Sequence, residues 1–202
     1  MRASRVFVHL ALAVLFAAAV GARAAAAADA TDYMTGIGNR VLNILNDKEG
    51  SNDRHKEQFL QLAEQSFDIP KIAQFTLGRY WRTATDAEKA QFLETFKNYM
   101  VDVYWTRFKS YAGEVFRATK SQDQGNGTIL VTTEIERTES GQPPVKVLWS
   151  LVPMGDTFRI RDASLEGVSQ ALTYRDEFSS IIERNGGKVS ALISQLNERA
   201  KG

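Results

Sequence analysis

The clearest structural signal in the sequence is the stretch Val145-Lys146-Val147-Leu148-Trp149-Ser150-Leu151-Val152-Pro153-Met154-Gly155-Asp156-Thr157-Phe158-Arg159-Ile160. Side chains alternate between the two faces of a β-strand, so one face of its first half carries Val145, Val147, Trp149 and Leu151. Gly155-Asp156 suits a two-residue hairpin turn, after which Thr157 to Leu165 returns as the next strand. The stretch therefore predicts an antiparallel hairpin.

Two more strands are predicted before this hairpin. Glu114 to Lys120 alternates in the same way, and Gln124-Gly125-Asn126-Gly127 supplies a turn after it. The following strand has as its inward positions Ile129, Val131, Thr133 and Ile135. The sequence thus predicts a four-stranded antiparallel sheet.

Helical patterns occupy the chain before and after the predicted strands. Thr85 and Glu88 fit a capping box at the start of the longest helix, which should run to about Tyr111. Asp68 is expected to cap a shorter helix. The other predicted helices pass through Met34 to Leu45, around Phe59, and over Ser169 to Asn185 and Lys188 to Ala200. Four strands with helices gathered at one face predict an α+β fold.

Residues 1–28 have the pattern of a cleavable signal peptide. Arg2 and Arg5 supply a positive start, Val6 to Val20 supplies an apolar run, and Ala22 to Ala28 offers small residues for cleavage. A membrane anchor is the alternative, but a bilayer span needs about 20 apolar residues. We expect an exported chain that begins near Asp29, with residues 29–202 forming a single domain.

Composition argues against several classes of protein. The net charge of the whole sequence is +1, and removing the three arginines of the predicted signal peptide leaves +1 − 3 = −2. Neither nucleic acid nor an anionic surface is therefore an expected partner. The absence of cysteine excludes thiolate chemistry. His9 lies in the leader, and His55 is expected on the solvated surface. We therefore predict no catalytic residues, no metal site and no cofactor.

Two segments of the chain share residues and order with a known family. The first is Phe67-Asp68-Ile69-Pro70 through Leu77-Gly78-Arg79-Tyr80-Trp81-Arg82, followed by Phe92, Phe96 and Tyr104. The second contains Glu166-Gly167-Val168-Ser169, Tyr174-Arg175, Phe178, Gly187 and Leu192. Both resemble the MlaC family of periplasmic lipid-binding proteins, which are toluene-tolerance and ABC-transporter auxiliary components. The runs Arg175 to Phe178, Ile181 to Gly187 and Phe108 to Phe116 are similar to a branch of that family associated with hopanoids.

The resemblance implies a curved sheet under helices, like the cone of nuclear-transport-factor-like domains, with an apolar cavity inside. It implies a periplasmic carrier that moves phospholipid between an outer-membrane lipoprotein complex and an inner-membrane ABC transporter complex and maintains lipid asymmetry of the outer membrane. A hopanoid is the alternative cargo. Enclosing a two-tailed lipid is energetically favourable, because exposing its roughly 30 methylenes to water at about 0.8 kcal/mol each costs on the order of 20 kcal/mol.

On this interpretation eight residues should line the cavity, each apolar and on a face predicted to look inward. They are Ile72, Phe92, Phe96, Met100, Val131, Val147, Trp149 and Phe158.

Two other classes of function stay open at the level of sequence. An enzyme acting on a hydrophobic small molecule would need a carboxylate or tyrosine inside the pocket, and Glu134 and Glu136 share one strand face. An exported interaction module with a filled core would instead present Trp81 and Trp105 as exposed anchors for a partner.

Overall fold

The computed structural model describes residues 29–109, 114–137, 141 and 143–200. Residues 29–46 form helix α1. The other helices are α2 (Asn52–Ser66), α3 (Ile69–Leu77), α4 (Asp86–Phe108), α5 (Gln170–Arg184) and α6 (Val189–Arg199), with a 3-10 helix at Gly78–Arg82. The strands are β1 (Glu114–Asp123), β2 (Ile129–Arg137), β3 (Val145–Met154), β4 (Thr157–Leu165) and β5 (Val168–Ser169). The predicted signal peptide and Tyr111 lie outside the described residues.

The strands form one antiparallel sheet in the order β1-β2-β3-β4-β5. The four predicted strands are confirmed, and β4 has the predicted bounds. The prediction of four strands was one short, because the two residues of β5 are too few to show an alternating pattern. Glu166 and Gly167, both with positive φ, form the turn that brings β5 back onto β4.

The ends of the helices test the predicted caps. The Thr85 side chain accepts from the backbone N–H of Glu88, whose carboxylate accepts from the N–H of Thr85, so the capping box is confirmed. Asp68 is the N-cap residue of α3, as predicted, but the expected side-chain cap is wrong, because its carboxylate makes no hydrogen bond to the start of the helix. The Asp68 carboxylate instead accepts a hydrogen bond at 3.1 Å from Nε of Arg161 on β4, which outcompetes the local amides.

Buried apolar side chains form three clusters. A helical cluster joins α3, α4, α5 and α6 around Phe92, Phe96 and Phe178. A sheet cluster packs α1, through Ala30 and Met34, against Val131, Leu151 and Ile160. A third cluster joins the end of α1, α2 and the end of α4 around Phe59, Val101 and Trp105. Helix α4 thus contributes side chains to both the helical cluster and the third cluster.

Helix α1 approaches the sheet closely at Gly38. A Cβ atom on Gly38 would lie 2.1 Å from Cδ1 of Phe116 on β1. The missing side chain therefore lets the Phe116 ring pack directly against the helix backbone. The helical propensity lost at this glycine is the cost of bringing α1 into contact with the sheet.

The turn between α2 and α3 covers part of the outer edge of β4. Phe67 forms a parallel bridge with Ile160, and the backbone N–H of Asp68 donates to the Ile160 carbonyl at 2.9 Å. The other end of the same edge is occupied by β5, which pairs with Ser164 and Leu165. Together these contacts fix the helical layer to the sheet.

The surface position expected for His55, and that expected for Trp105 if the protein were an interaction module, are both wrong. His55 is 8% exposed, its Nε2 lies 3.0 Å from Oδ2 of Asp47, and its ring packs against Trp105. Trp105 is 5% exposed and donates from Nε1 to Asn52 at 3.2 Å. Both side chains close the junction of α1, α2 and α4, where the third apolar cluster shields them from water.

Candidate functional site

The inner face of the sheet is the face that packs against α1. In an antiparallel sheet, residues paired across strands point to the same face. The register therefore places Val131, Trp149 and Ala163 in one row, and Ile129, Leu151 and Ile160 in another. Because Ile129, Val131, Leu151 and Ile160 are buried against α1, this half of the inner face is covered.

A third row of the inner face runs from the covered centre to an exposed edge. It consists of Thr133, Val147, Leu165 and Val168, paired in that order across β2, β3, β4 and β5. Exposure rises along the row from 0% and 9% at the first two residues to 42% and 58% at the last two. An apolar surface that is continuous with the interior therefore opens to solvent at β5.

We name Leu165, Val168 and Leu172 the edge patch. Leu172 lies in the first turn of α5, four residues beyond Val168, and is 49% exposed. The Asp162 carboxylate of β4 accepts from the backbone N–H of Ala171 at 3.0 Å, which holds this turn beside β4. Three large apolar side chains thus stay exposed where the sheet meets α5, an arrangement typical of a surface that binds an apolar partner.

A buried polar contact fixes the centre of the inner face. Nε1–H of Trp149 donates to Oγ1 of Thr133 at 2.8 Å, and Thr133 in turn donates to the carbonyl of Val147 at 3.5 Å. Thr133 is fully buried. This hydrogen bond therefore fixes the indole of Trp149, in its own row, against Thr133 at the buried start of the row that opens to solvent.

Two tyrosines lie where α4 and α5 meet. Tyr104 of α4 is half-buried, and Tyr174 of α5 is 8% exposed. Burial is the main cause that raises the pKa of each hydroxyl above its usual range, and the interaction between the two hydroxyls further raises the pKa of Tyr174. Both hydroxyls therefore remain protonated donors at neutral pH.

The eight predicted lining residues fall into two places. Ile72, Phe92, Phe96 and Met100 belong to the helical cluster, where the rings of Phe92 and Phe96 pack edge-on against Phe178 at 6.1 and 6.2 Å. Val131, Trp149 and Phe158 belong to the sheet cluster. Val147 is buried on the same inner face, in the row that leads to the edge patch. The structure brings the four sheet residues together and places the four helical residues in another core.

Neither the edge patch nor the tyrosine pair is predicted from the sequence. Leu165 and Val168 flank a turn, and Leu172 lies at the start of a helix. The alternation of apolar and polar residues along a strand therefore does not predict that these side chains are exposed. Tyr104 and Tyr174 were recognised only as parts of motifs. The signal that could have found them is a hydroxyl on each of two apolar helix faces.

The carboxylates considered for an enzyme do not point to the inner face. Glu134 pairs across the strands with Arg117 and Lys146, which places it on the opposite face, and its Oε1 lies 3.4 Å from Nζ of Lys146. Glu136 contacts Arg117 on the same side. A separate groove of about 280 Å³ between α2 and α4 is lined mostly by charged and polar side chains.

The comparisons with known proteins bear on the whole domain. The model of the MlaC protein family matches residues 36–198, which is most of the chain. This chain belongs to the MlaC family. The matched range contains the inner face of the sheet, the edge patch and both tyrosines.

Relatives of this MlaC family member include the toluene tolerance protein ttg2D of Pseudomonas putida, 21% identical over 115 residues. That match covers 57% of this chain and about half, 53%, of the relative. Among solved structures, the phospholipid-binding protein from Ralstonia solanacearum, in complex with a phospholipid, has a similar fold with a TM-score of 0.72. It is 20% identical, and the match covers 86% of this chain and 97% of that one. The predicted α+β architecture is thereby confirmed. The helices of the described residues are too short or too polar to cross a bilayer.

Proposed function

We propose that this protein is a periplasmic lipid carrier that encloses acyl chains between the inner face of its sheet and its helices. The observation that carries the proposal is the row from Thr133 to Val168, which leads from the buried centre of the sheet to the exposed edge patch without a charged residue. Acyl chains could enter along this row and stay out of water. Of the four sheet residues predicted as lining, Val147 lies in this row, and Val131, Trp149 and Phe158, which pack against α1, would back it from the covered half of the inner face.

The energetics favour enclosure over surface binding. Transferring an acyl chain out of water gains about 0.8 kcal/mol for each methylene, so two tails of about 15 methylenes exceed 20 kcal/mol. A solvent-exposed ion pair contributes about 1 kcal/mol or less. The tails therefore supply most of the binding free energy. The four predicted helical residues, Ile72, Phe92, Phe96 and Met100, would lie behind the wall opposite the sheet and support it.

The proposed cellular role rests on membership of the family. We propose that this chain exchanges phospholipid with an inner-membrane ABC transporter complex and an outer-membrane lipoprotein complex, which would maintain outer-membrane lipid asymmetry. Export would require the signal peptide proposed at residues 1–28. The phospholipid bound to the Ralstonia solanacearum protein supports phospholipid as the cargo.

The direct test is to express the full chain with its leader, purify it from the periplasm without detergent, extract it with organic solvent and analyse the extract by mass spectrometry. We expect about one phospholipid for each protein molecule. A stoichiometric hopanoid would keep the carrier and change its cargo. Protein that is folded but free of lipid after purification, and that also takes up none from vesicles, would overturn the proposal.

Adjacent residues on opposite faces of β3 provide a matched pair of variants. Val147→Asp places a carboxylate on the inner face, whereas Leu148→Asp places it on the outer face, where Leu148 is already 37% exposed. We expect the first variant to lose lipid and the second to keep it. Val168→Asp is a further variant at a 58% exposed position, where the fold is not at risk, and it should slow lipid uptake from vesicles. Normal uptake by both inner-face variants would contradict the assigned wall.

A further inference from the structure

The most exposed aromatic side chain of the described residues lies on α3, where that helix packs beside α5. This side chain, Phe75, is 41% exposed, whereas Tyr174 and Phe178 of α5 are buried in the helical cluster. Leu172, in the first turn of α5, is 49% exposed and also belongs to the edge patch. Two large apolar side chains on neighbouring helices therefore face water, and packing of the core does not account for them.

The side chain of Arg175 on α5 lies between the two helices. Its Cζ is 5.1 Å from the centre of the Phe75 ring, which is a cation–π contact from α5 to α3. A Cβ atom added at Gly78 would lie 3.2 Å from Nε of Arg175, so the arginine extends across the glycine that ends α3. Leu172 precedes Arg175 by three residues, which places both on the same side of α5. The guanidinium is therefore fixed at the surface beside both apolar side chains.

A second cation is a neighbour of the exposed ring. Lys71 is exposed and precedes Phe75 by four residues in α3, so their side chains are adjacent on the helix surface. Among the residues that the structure describes, no carboxylate forms an ion pair with Lys71 or with Arg175, whereas Nη2 of the nearby Arg79 lies 2.7 Å from Oε1 of Glu183. Two positive charges beside Phe75 are thus left for a partner.

We name Lys71, Phe75, Leu172 and Arg175 the cation–aromatic patch. Two exposed carboxylates lie near it: Asp176 follows Leu172 by four residues on α5, and Glu166 lies in the turn between β4 and β5. Both reduce the positive potential of this side of the molecule. The net charge of the chain predicts no anionic partner, but net charge does not show where unpaired cations lie, and here both adjoin the exposed ring.

We propose that the cation–aromatic patch docks the protein on the surface of an anionic phospholipid bilayer. Apolar side chains with cations beside them bind a bilayer interface, because the apolar groups enter the acyl boundary while ammonium and guanidinium groups stay among the phosphates. An anionic leaflet attracts each basic residue that comes close to it. The inference goes beyond the carrier function, since it concerns the surface that meets a membrane and can be measured whatever the cargo is.

Continuity with the edge patch favours a bilayer over an acidic protein as the partner. Leu172 belongs to both patches, so docking through Phe75 would bring the exposed end of the inner face toward the same lipids. An acyl chain could then pass between bilayer and protein with little exposure to water. A protein partner would gain nothing from this position of the cations beside the opening.

The test measures co-sedimentation of the exported protein with vesicles of phosphatidylcholine alone and of phosphatidylcholine mixed with phosphatidylglycerol. The patch variants are Lys71→Gln, Arg175→Gln, Phe75→Ala and Asp176→Asn. The matched controls alter exposed side chains elsewhere and are Lys48→Gln and Arg54→Gln, near the junction of α1 and α2, and Leu148→Ala, on the outer face of the sheet. Circular dichroism checks that every variant is folded.

We expect the wild type to bind the phosphatidylglycerol vesicles more tightly than the neutral ones, and added salt to remove most of that difference. Lys71→Gln and Arg175→Gln should each weaken binding to the anionic vesicles by about fivefold. Phe75→Ala should weaken binding to both kinds of vesicle, by roughly tenfold. Asp176→Asn should strengthen binding to the anionic vesicles, because it removes a repelled charge.

Three results would overturn this inference. They are equal binding of the wild type to the two kinds of vesicle, no binding to either, and losses in the Lys48→Gln and Arg54→Gln controls as large as those in the patch variants. The second result would favour a protein with an acidic surface as the partner. None of them bears on the carrier function, which the lipid extract of the purified protein tests separately.

Discussion

Asp68 and Arg161 form an ion pair, with Oδ2 and Nε 3.1 Å apart, that ties the turn between α2 and α3 to β4. The Asp68 side chain is 9% exposed and the Arg161 side chain 44%. Hydrogen bonds to a charged group contribute about 1.5–3 kcal/mol when the partner is shielded from water. The pair therefore holds the helical layer at the edge of the sheet.

We expect Asp68→Asn to lower the free energy of unfolding by about 2 kcal/mol, because the variant leaves the guanidinium without its anionic partner. Urea denaturation followed by circular dichroism measures the change. Glu183→Gln is the control, since it breaks an exposed ion pair with Arg79 and should change stability little. An equal loss of unfolding free energy in the two variants would show that the burial of Asp68 does not strengthen its ion pair.

The two glycines of α1 should respond to alanine with opposite signs. Gly38→Ala would place its Cβ within 2.1 Å of the Phe116 ring, and we expect a loss of about 1–3 kcal/mol as α1 and the ring move apart. At Gly36 an added Cβ would meet no atom within 4 Å, so Gly36→Ala should gain about 0.5–1 kcal/mol from helix propensity. Thermal unfolding of both variants gives the signs, and a gain at Gly38 would contradict the close packing of α1.

Thr133→Val tests the polar contact at the centre of the inner face. The variant keeps the shape of the side chain and removes the acceptor of the Trp149 indole N–H, which would be left buried and unpaired. We expect a loss of about 1–3 kcal/mol in chemical denaturation. Thr132→Val makes the same change on the opposite face of β2, where it should cost little. Unchanged stability in Thr133→Val would mean that the indole finds another acceptor.

The raised pKa of Tyr174 predicts that the protein becomes less stable at alkaline pH. Burial raises the pKa of its hydroxyl in the folded protein, whereas the unfolded chain ionises near the usual value of about 10. The folded state therefore binds more protons above that pH, so stability is intact below about pH 10 and falls as pH rises beyond it.

The slope for one such group approaches about 1.4 kcal/mol for each pH unit. Melting temperatures measured from pH 8 to 11 should fall more steeply for the wild type than for Tyr174→Phe, which has no proton to lose. Parallel curves for the two proteins would show that Tyr174 does not control the alkaline transition.

The sheet was the part of the fold that sequence predicted best. Alternation and turn residues mark β2, β3 and β4, because each strand presents one face to a core and one to solvent. The predicted side-chain cap at Asp68 is wrong for a tertiary reason. Its carboxylate can serve α3 or Arg161, and only the tertiary structure brings Arg161, 93 residues away, within reach.

The candidate site was predicted in part, since the sheet residues share one face and the helical residues do not join them. Phe96 and Tyr104 belong to the same apolar stripe of α4, yet Phe96 packs against α3, α5 and α6, and Tyr104 packs against the cluster around Phe59, Val101 and Trp105. Helical spacing shows which face of a helix is apolar but does not show which element that face meets. Alternation also cannot separate Val147, which is buried, from Leu165, its exposed partner across the strands.

The covered edge of β4 has a consequence for behaviour in a crowded compartment. Phe67 and β5 occupy hydrogen-bonding groups of that strand at its two ends, and the opposite outer strand is interrupted by a bulge between Ala118 and Lys120. Unprotected borders of sheets recruit strands from other molecules and start aggregates. The exposed apolar side chains of the edge patch therefore belong to a sheet whose two outer strands are each partly prevented from pairing with a second molecule.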